Sequence, residues 1–280
     1  MIPLVDKFVI KKYIENFLEE DIGWGDITTD LLIDHDIKTT ASIKAKEEGV
    51  IAGLDVLDVI FQLLDSSITF IKKINDGDEV VSGDIIAEVK GPINKILKGE
   101  RLCLNLLQRM SGIATYTRHL CNLIKPYKAK VTDTRKTVPG LRYFDRYAVV
   151  IGGGVNHRYN LSDSILIKDN HIKLVGGIKE ALIKVKAKAS HTQKIEIEVQ
   201  NLNQFQEALK YGADIILLDN MSIDSIRKAV EVAQEKVILE ASGNINESNI
   251  VSFAETGVNI ISCGALTHSV KALDINMIIE

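Results

Sequence analysis

From Lys128 onward the chain alternates short β-rich runs with helical stretches, and this alternation limits its fold more than any other feature of the 280 residues. The runs are AKVTDT, SILIKD, KIEIEVQ, DIILLDN, KVILEAS and NIISCG. Strand, helix, strand, helix in succession dictates a parallel sheet, because parallel neighbours need a crossover where antiparallel ones need only a turn. The runs are nearly all apolar, as strands covered on both faces are. Asn203 to Tyr211 and Ser222 to Glu235 repeat apolar residues three and four apart, the pattern of helices that cover such a sheet. Six or seven strands in about 150 residues fall short of the roughly 250 that an eight-stranded barrel takes, so an incomplete barrel is predicted.

The part before about Gly112 reads as mixed structure. A helical start is followed by extended pieces, TTASIKAKE and IIAEVK, separated by turns at Asp76-Gly77 and Ser82-Gly83. No stretch approaches the roughly 18 apolar residues of a membrane span. The opening MIPLVDKFVIKKYIENFLEEDIGWGD lacks the apolar core and cleavage site of a secretory signal, so export is not expected. Cys103, Cys121 and Cys263 are odd in number, widely spaced and set among apolar neighbours, which argues against a disulfide framework and a structural zinc site and fits a reducing cytoplasm. A net charge of -4 leaves no footprint for nucleic acid, so an anionic ligand has to be met by a local cluster.

Polar residues mark that cluster. Each of the six runs ends in a polar or small group: Asp133 to Lys136, Lys168 to His171, Glu198, Asp219, Ser242 to Asn244, and Gly264. The carboxyl ends of parallel strands form the ligand-binding rim. A polar residue at one strand end can equally cap the next helix, but six together point to one site. TDTRKTVPGLR, GGGVNHR and ILIKDNH bring Arg135, Lys136, His157, Arg158, Lys168 and His171 toward it. Arginine forks grip carboxylate or phosphate at two points and lysine acts as a point charge, so the rim expects a highly charged anion. Glu198 and Asp219 end consecutive strands; beside a polyanion such a pair suits Mg²⁺, and otherwise pairs with the neighbouring lysines. EASGNINES and CGALTHS each open onto a predicted helix whose N-terminal N–H groups suit a sugar phosphate.

In order along nearly the whole chain, EDIGWGDITTD, ERLCLNLLQRMSGIAT, TDTRKTVPGLR, YAVVIGGGVNHR, LIKDNH, IEIEV, ILLDN, EASGN and GALTHS resemble the quinolinate phosphoribosyltransferase family. The resemblance implies a type II phosphoribosyltransferase architecture within the α/β class. An N-terminal α/β sandwich over 1–112 would be completed by the tail 267–280, and a seven-stranded α/β barrel over 113–266 would hold the active site. The implied reaction is transfer of phosphoribosyl from phosphoribosyl pyrophosphate to quinolinate with decarboxylation, giving nicotinate mononucleotide, pyrophosphate and CO₂ in NAD biosynthesis, with Mg²⁺ as cofactor. The implied assembly is a homodimer, or a hexamer built as a trimer of dimers, with no nucleic acid or membrane partner. Carried over by motif, Arg101, Arg135, Lys136, His157, Arg158 and Lys168 match the quinolinate-binding cations, Arg101 reaching across the dimer, and Thr134 lies in the same substrate loop. Glu198 and Asp219 match the acidic pair near ribose and metal, and with Lys136 and Lys168 they make up the catalytic positions. Ser242, Gly243, Asn244, Gly264, Ala265 and His268 match the phosphate loops; Asn244 stands where many relatives have glycine, and both suit a tight turn.

Three other readings compete. A paralogous group associated with molybdenum transport shares the TRKT-like and GGG motifs but departs at the NHR and KDNH positions that this chain keeps. INDGDEVVSGDIIAEVKGPI has the glycine spacing of a lipoyl or biotinyl carrier without its modifiable lysine hairpin. Lys168 at a strand end could serve as the Schiff-base nucleophile of an aldolase-like barrel. Finally, Leu102, Leu106 and Met110 lie on or near one face of an amphipathic helix beside Arg101, a face that a dimer interface would bury.

Overall fold

The computed structural model describes residues 6–34 and 37–279. The first part of the chain runs α1 (Lys7–Ile22), α2 (Ile27–Leu32), β1 (Lys38–Ala45), β2 (Gly49–Val50), α3 (Leu54–Leu64), β3 (Thr69–Lys72), β4 (Glu79–Val80), β5 (Ile85–Pro92) and α4 (Ile93–Leu123). Then come β6 (Lys130–Thr132), α5 (Arg142–Ile151), β7 (Ile165–Ile167), α6 (Asp169–Val175), α7 (Ile178–Lys186), β8 (Ile195–Val199) and α8 (Leu202–Lys210). The chain closes with β9 (Ile215–Asp219), α9 (Ile223–Ala233), β10 (Ile238–Ser242), α10 (Ile250–Glu255), β11 (Ile260–Ser262), α11 (Ala265–His268) and β12 (Ile275–Ile279). Contacts divide it into two units, one of 1–118, 138–153 and 270–280 and the other of 119–137 and 154–269.

The first unit is built on an antiparallel sheet ordered β12-β1-β5-β3, so the last strand of the chain pairs with the first. α1 begins where the Asp6 carboxylate accepts from the N–H groups of Phe8 and Val9, and it buries Ile10, Ile14 and Leu18, one stripe at four-residue spacing. Asp76 caps α3 by accepting from Gly53 and Leu54 N–H. Gly112 on α4 lies against the returning tail, where a Cβ would collide with the Lys271 carbonyl. Leu102, Leu106 and Met110 of α4 are buried within the single chain. The apolar face beside Arg101 therefore needs no second subunit to cover it, which corrects the reason the sequence offered for an interface there. α5 follows β6 in the chain but belongs to this unit. Phe144 packs edge-on against Tyr13, and the fully buried Asp145 accepts two hydrogen bonds from Arg109 at 2.8 and 2.9 Å, so both apolar and ionic contacts draw the helix there.

In the second unit all pairings are parallel and the ladder runs β7-β8-β9-β10-β11-β6, with Val155 adding a single parallel bridge to Thr132 beyond β6. This is chain order taken around a circle, with no pairing among the described residues between Val155 and β7. Six strands and one bridge thus stand where seven strands were expected. The seventh ends after one residue because the next free N–H, that of His157, is taken by the Asp133 carboxylate at 2.7 Å instead of a strand carbonyl. Helices α8 and α9 start at Asn201 and Ser222, whose side chains accept from Gln204 and Ser225 N–H, and they bury Phe205, Ala208, Ile226, Ala229 and Ala233. Every strand consequently delivers its carboxyl end to the same side of the sheet.

Candidate active site

A cavity of about 520 Å³ opens at those strand ends. Thr134, Arg135 and Lys136 follow β6 into its wall, His157 and Arg158 come from the loop after Val155, and Lys168 follows β7. Glu198, Asp219 and Ser242 close the lining from the ends of β8, β9 and β10, with Leu166 and Leu217 as its apolar wall. Arg101, Gly243, Asn244, Gly264, Ala265 and His268 are not part of that lining. Arg101 is exposed on α4 in the first unit.

Arg135 Nε is buried without a hydrogen-bond partner, a costly state for a donor unless a ligand completes it. Arg158 donates from Nη1 to the Ser164 carbonyl at 2.9 Å. Burial, and then Arg135 beside it, pull the Arg158 pKa below its ordinary value, though a guanidinium remains charged. Asp133, fully buried, accepts the His157 N–H and, at 2.8 Å, the Asn156 side chain, which fixes the NHR loop. His171 lies apart from this group: its Nδ1 accepts the Lys168 N–H at 3.0 Å and it does not line the cavity, because the turn at the start of α6 uses its ring. The rim therefore has one histidine where the motifs suggested two.

Lys168 Nζ is 3.5 Å from Glu198 Oε2. Burial raises the Glu198 pKa; Lys168 partly offsets this, and the neighbouring Asp219 carboxylate adds to it. Two hard oxygen donors on adjacent strand ends, with the Asp219 carboxylate disfavouring charge on Glu198, fit a divalent cation such as Mg²⁺, which would remove that repulsion. The lysine pairing of Glu198 and the acidic pair thus coexist.

Beneath the cations lies a group that the motifs did not single out. Glu196 and Glu240 are buried, and with His157 they offer ligand-type atoms within 4.8 Å of one another. Burial opposes charge on His157, but the hydrogen bond it donates to Glu196 and the fields of both acids outweigh it and raise its pKa. Burial, with Glu196 adding to it, pushes the Glu240 carboxyl up to about 7. The signal in the sequence was the period-two spacing of Glu196 and Glu198 in IEIEV, which puts both acids on one face of β8.

The remaining polar strand ends form loops. Gly243 has φ +114° and lies against Asn220, where a Cβ would collide with Oδ1, while Asn220 and Asn244 both take φ 51°. Gly264 lies against His268 and Lys136, where a Cβ would come within 3.1 Å of both side chains. α10 starts only at Ile250, after a turn in which Asn246 Oδ1 accepts from Ser248 N–H at 2.9 Å, and α11 has four residues. EASGNINES thus passes through left-handed backbone at Gly243 and Asn244 before it opens onto α10, and Gly264 leads straight into the short α11.

A parallel strand-end site combining clustered guanidinium and ammonium groups with an acidic pair and small-residue loops defines an α/β enzyme that handles polyanionic substrates. More narrowly, the chain belongs to the quinolinate phosphoribosyltransferase family: the family's N-terminal domain matches residues 26–111 and its C-terminal domain residues 113–278. It is 45% identical over 268 residues to the probable nicotinate-nucleotide pyrophosphorylase (carboxylating) of Bacillus subtilis strain 168, covering 96% of this chain and 92% of that one. It is 38% identical to quinolinate phosphoribosyltransferase (decarboxylating) 1b of Nicotiana tabacum, over 99% of this chain and 84% of that one. The solved nicotinate-nucleotide pyrophosphorylase of Francisella tularensis superposes with a TM-score of 0.95 at 42% identity, covering 100% of this chain and 99% of that one.

The buried acid has a consequence for stability. Between the ordinary carboxyl pKa of 4.5 and about 7, folded Glu240 holds a proton that the unfolded chain has released, so stability falls as pH rises through that window and levels off above it. The raised His157 pKa acts in the same sense, its contribution being lost as pH climbs past the folded value. Glu240→Gln is therefore expected to flatten the decline of melting temperature between pH 5 and pH 8, as followed by circular dichroism. Parallel curves for variant and wild type would contradict the assignment.

Proposed function

We propose that this chain transfers the phosphoribosyl group of phosphoribosyl pyrophosphate to quinolinate, with loss of one carboxylate as CO₂, giving nicotinate mononucleotide and pyrophosphate for NAD biosynthesis. The observation that carries the reading is one cavity lined by Arg135, Arg158 and Lys168 together with Glu198 and Asp219. Quinolinate has two adjacent carboxylates, which two guanidinium forks and a lysine suit, and the buried Arg135 Nε is a donor that such a carboxylate satisfies. Displacing pyrophosphate builds positive charge at the ribose anomeric carbon. Glu198 and Asp219 stabilise that charge as fixed carboxylates, while Lys136, beside Gly264 and His268, meets the negative leaving group. Mg²⁺ held by Glu198 and Asp219 would neutralise charge on the pyrophosphate. The loops of Ser242, Gly243, Asn244, Gly264, Ala265 and His268 seat the sugar phosphate. Once the pyridine nitrogen has attacked, the cationic ring stabilises the electron pair that the departing CO₂ leaves on the ring carbon until a proton from solvent takes its place, and Leu166 and Leu217 form the apolar wall beside that step.

We assign the active species as a homodimer in which Arg101 reaches the partner's cavity. Its exposure on α4 supports this, and so do the exposed Phe8, Trp24, Ile27 and Leu31 of α1, α2 and the turn between them, which supply apolar surface for a second subunit. A cytoplasmic location is supported by Cys103 and Cys263 remaining buried thiols and by the absence, among the described residues, of any helix long and apolar enough to cross a membrane.

Incubated with quinolinate, phosphoribosyl pyrophosphate and Mg²⁺, the protein is expected to release nicotinate mononucleotide and CO₂, and Asp219→Asn to lower kcat more than it raises the KM for quinolinate. Absence of product, or borohydride trapping of Lys168 on a carbonyl substrate, would favour the Schiff-base reading instead. The shared site is tested by mixing Arg101→Ala and Lys136→Ala proteins, each nearly inactive alone. Half of randomly reassociated dimers are mixed and half of their sites carry neither lesion, so roughly a quarter of wild-type activity returns. No recovery after confirmed subunit exchange would place Arg101 outside its partner's site.

A further inference from the structure

Glu196 and Glu240 take no part in the reaction as derived above, yet each is only 4% exposed, Glu240 in the lining of the cation-lined cavity and Glu196 beside it. A buried carboxylate costs folding stability, so two in contact call for a compensating use. They stand on β8 and β10, either side of β9, and converge on one atom: His157 Nε2 lies 3.2 Å from Glu196 Oε2 and 3.8 Å from Glu240 Oε1. The other ring nitrogen, Nδ1, accepts the Arg158 N–H at 2.7 Å, which assigns the ring proton to Nε2. The imidazole is thus a strut between an acidic floor and the main chain of Arg158. The same stretch is tied from β6 by Asp133, which accepts the His157 N–H. Glu240 Oε1 has no hydrogen-bond partner and, once its proton is lost, adds its field to that of Glu196 on the ring.

We propose that Glu196 and Glu240 are positioning residues for the pyridine dicarboxylate: through His157 they fix the main chain of Arg158 and hold its guanidinium beside Arg135, so that the two cations are a preformed pair. The inference rests on the function proposed above. Two guanidinium groups repel each other, and a site that waited for its ligand to assemble them would lose binding energy to that ordering. Glu196 also acts directly on Arg158, its field partly restoring the charge that burial and Arg135 disfavour. The third acid near the ring is Asp133, and the remaining charged neighbour of Arg158 is Asp163.

The test compares wild type, Glu196→Gln and Glu240→Gln by steady-state kinetics with each substrate varied, alongside melting curves and metal analysis. Loss of a charge-assisted hydrogen bond to the strut predicts that Glu196→Gln raises the KM for quinolinate by about tenfold or more, with a smaller rise for Glu240→Gln. The KM for phosphoribosyl pyrophosphate should stay within about twofold and kcat should fall less than the quinolinate KM rises. A quinolinate KM unchanged in a folded variant, or both KM values rising together, overturns the proposal. So does a stoichiometric transition metal that the wild type holds and the variants lose. Nitrogen NMR of His157 in the wild-type protein reads the strut without turnover and without the variants: Nε2 protonated and Nδ1 bare supports it, and an averaged tautomer mixture overturns it. A wild-type protein inactive on quinolinate but showing the fixed tautomer would sink the proposed function and leave the strut without its substrate, which also overturns the positioning role.

Discussion

Guanidinium and ammonium groups gathered on one rim repel one another, and the second unit is arranged around that repulsion. The parallel ladder makes the crowding unavoidable, since it sends the end of every strand to the same side. The opposing charge comes from three depths. Asp133, fully buried, ties down the loop that carries His157 and Arg158; Glu196 and Glu240 face the imidazole from below; Glu198 meets Lys168 at the rim. At the buried pairings of Asp133 and Glu196 each interaction is worth more than it would be at a surface, and each unpaired group costs more, whereas Lys168 is half-exposed. The buried Arg135 Nε, which has no hydrogen-bond partner, is a donor that the protein leaves for something else to satisfy.

Much of this was legible in the sequence because polar residues placed straight after apolar runs have little structural reason to be there. Arg135, Lys168, Glu198 and Asp219 stood out in that way, and all four line the cavity. Glu196 and Glu240 did not, because each lies inside a run that otherwise reads as strand, and a lone acid in a strand usually faces solvent. Only the circular arrangement turns their faces inward. His171 misled for the opposite reason: it sits beside Lys168 in the chain, but the turn that starts α6 uses its ring as an acceptor.

The first unit shows the limit of chain order as a guide to packing. α5 follows β6 directly and by sequence belongs with the barrel strands, yet Asp145 and Phe144 commit it to Arg109 and Tyr13 in the other unit. The leucines of α4 likewise find their cover inside the chain, which shifts attention for a subunit contact to the exposed apolar residues of α1, α2 and their connecting turn.

The central claim is that quinolinate sits in the strand-end cavity with its carboxylates on Arg135, Arg158 and Lys168. A crystal structure of the protein grown with quinolinate tests it most directly. The account predicts the ligand in that cavity, one carboxylate within hydrogen-bond distance of Arg135 Nε and the pyridine nitrogen open toward Glu198 and Asp219. Quinolinate bound elsewhere, or bound there with Arg135 and Arg158 turned away, would contradict it.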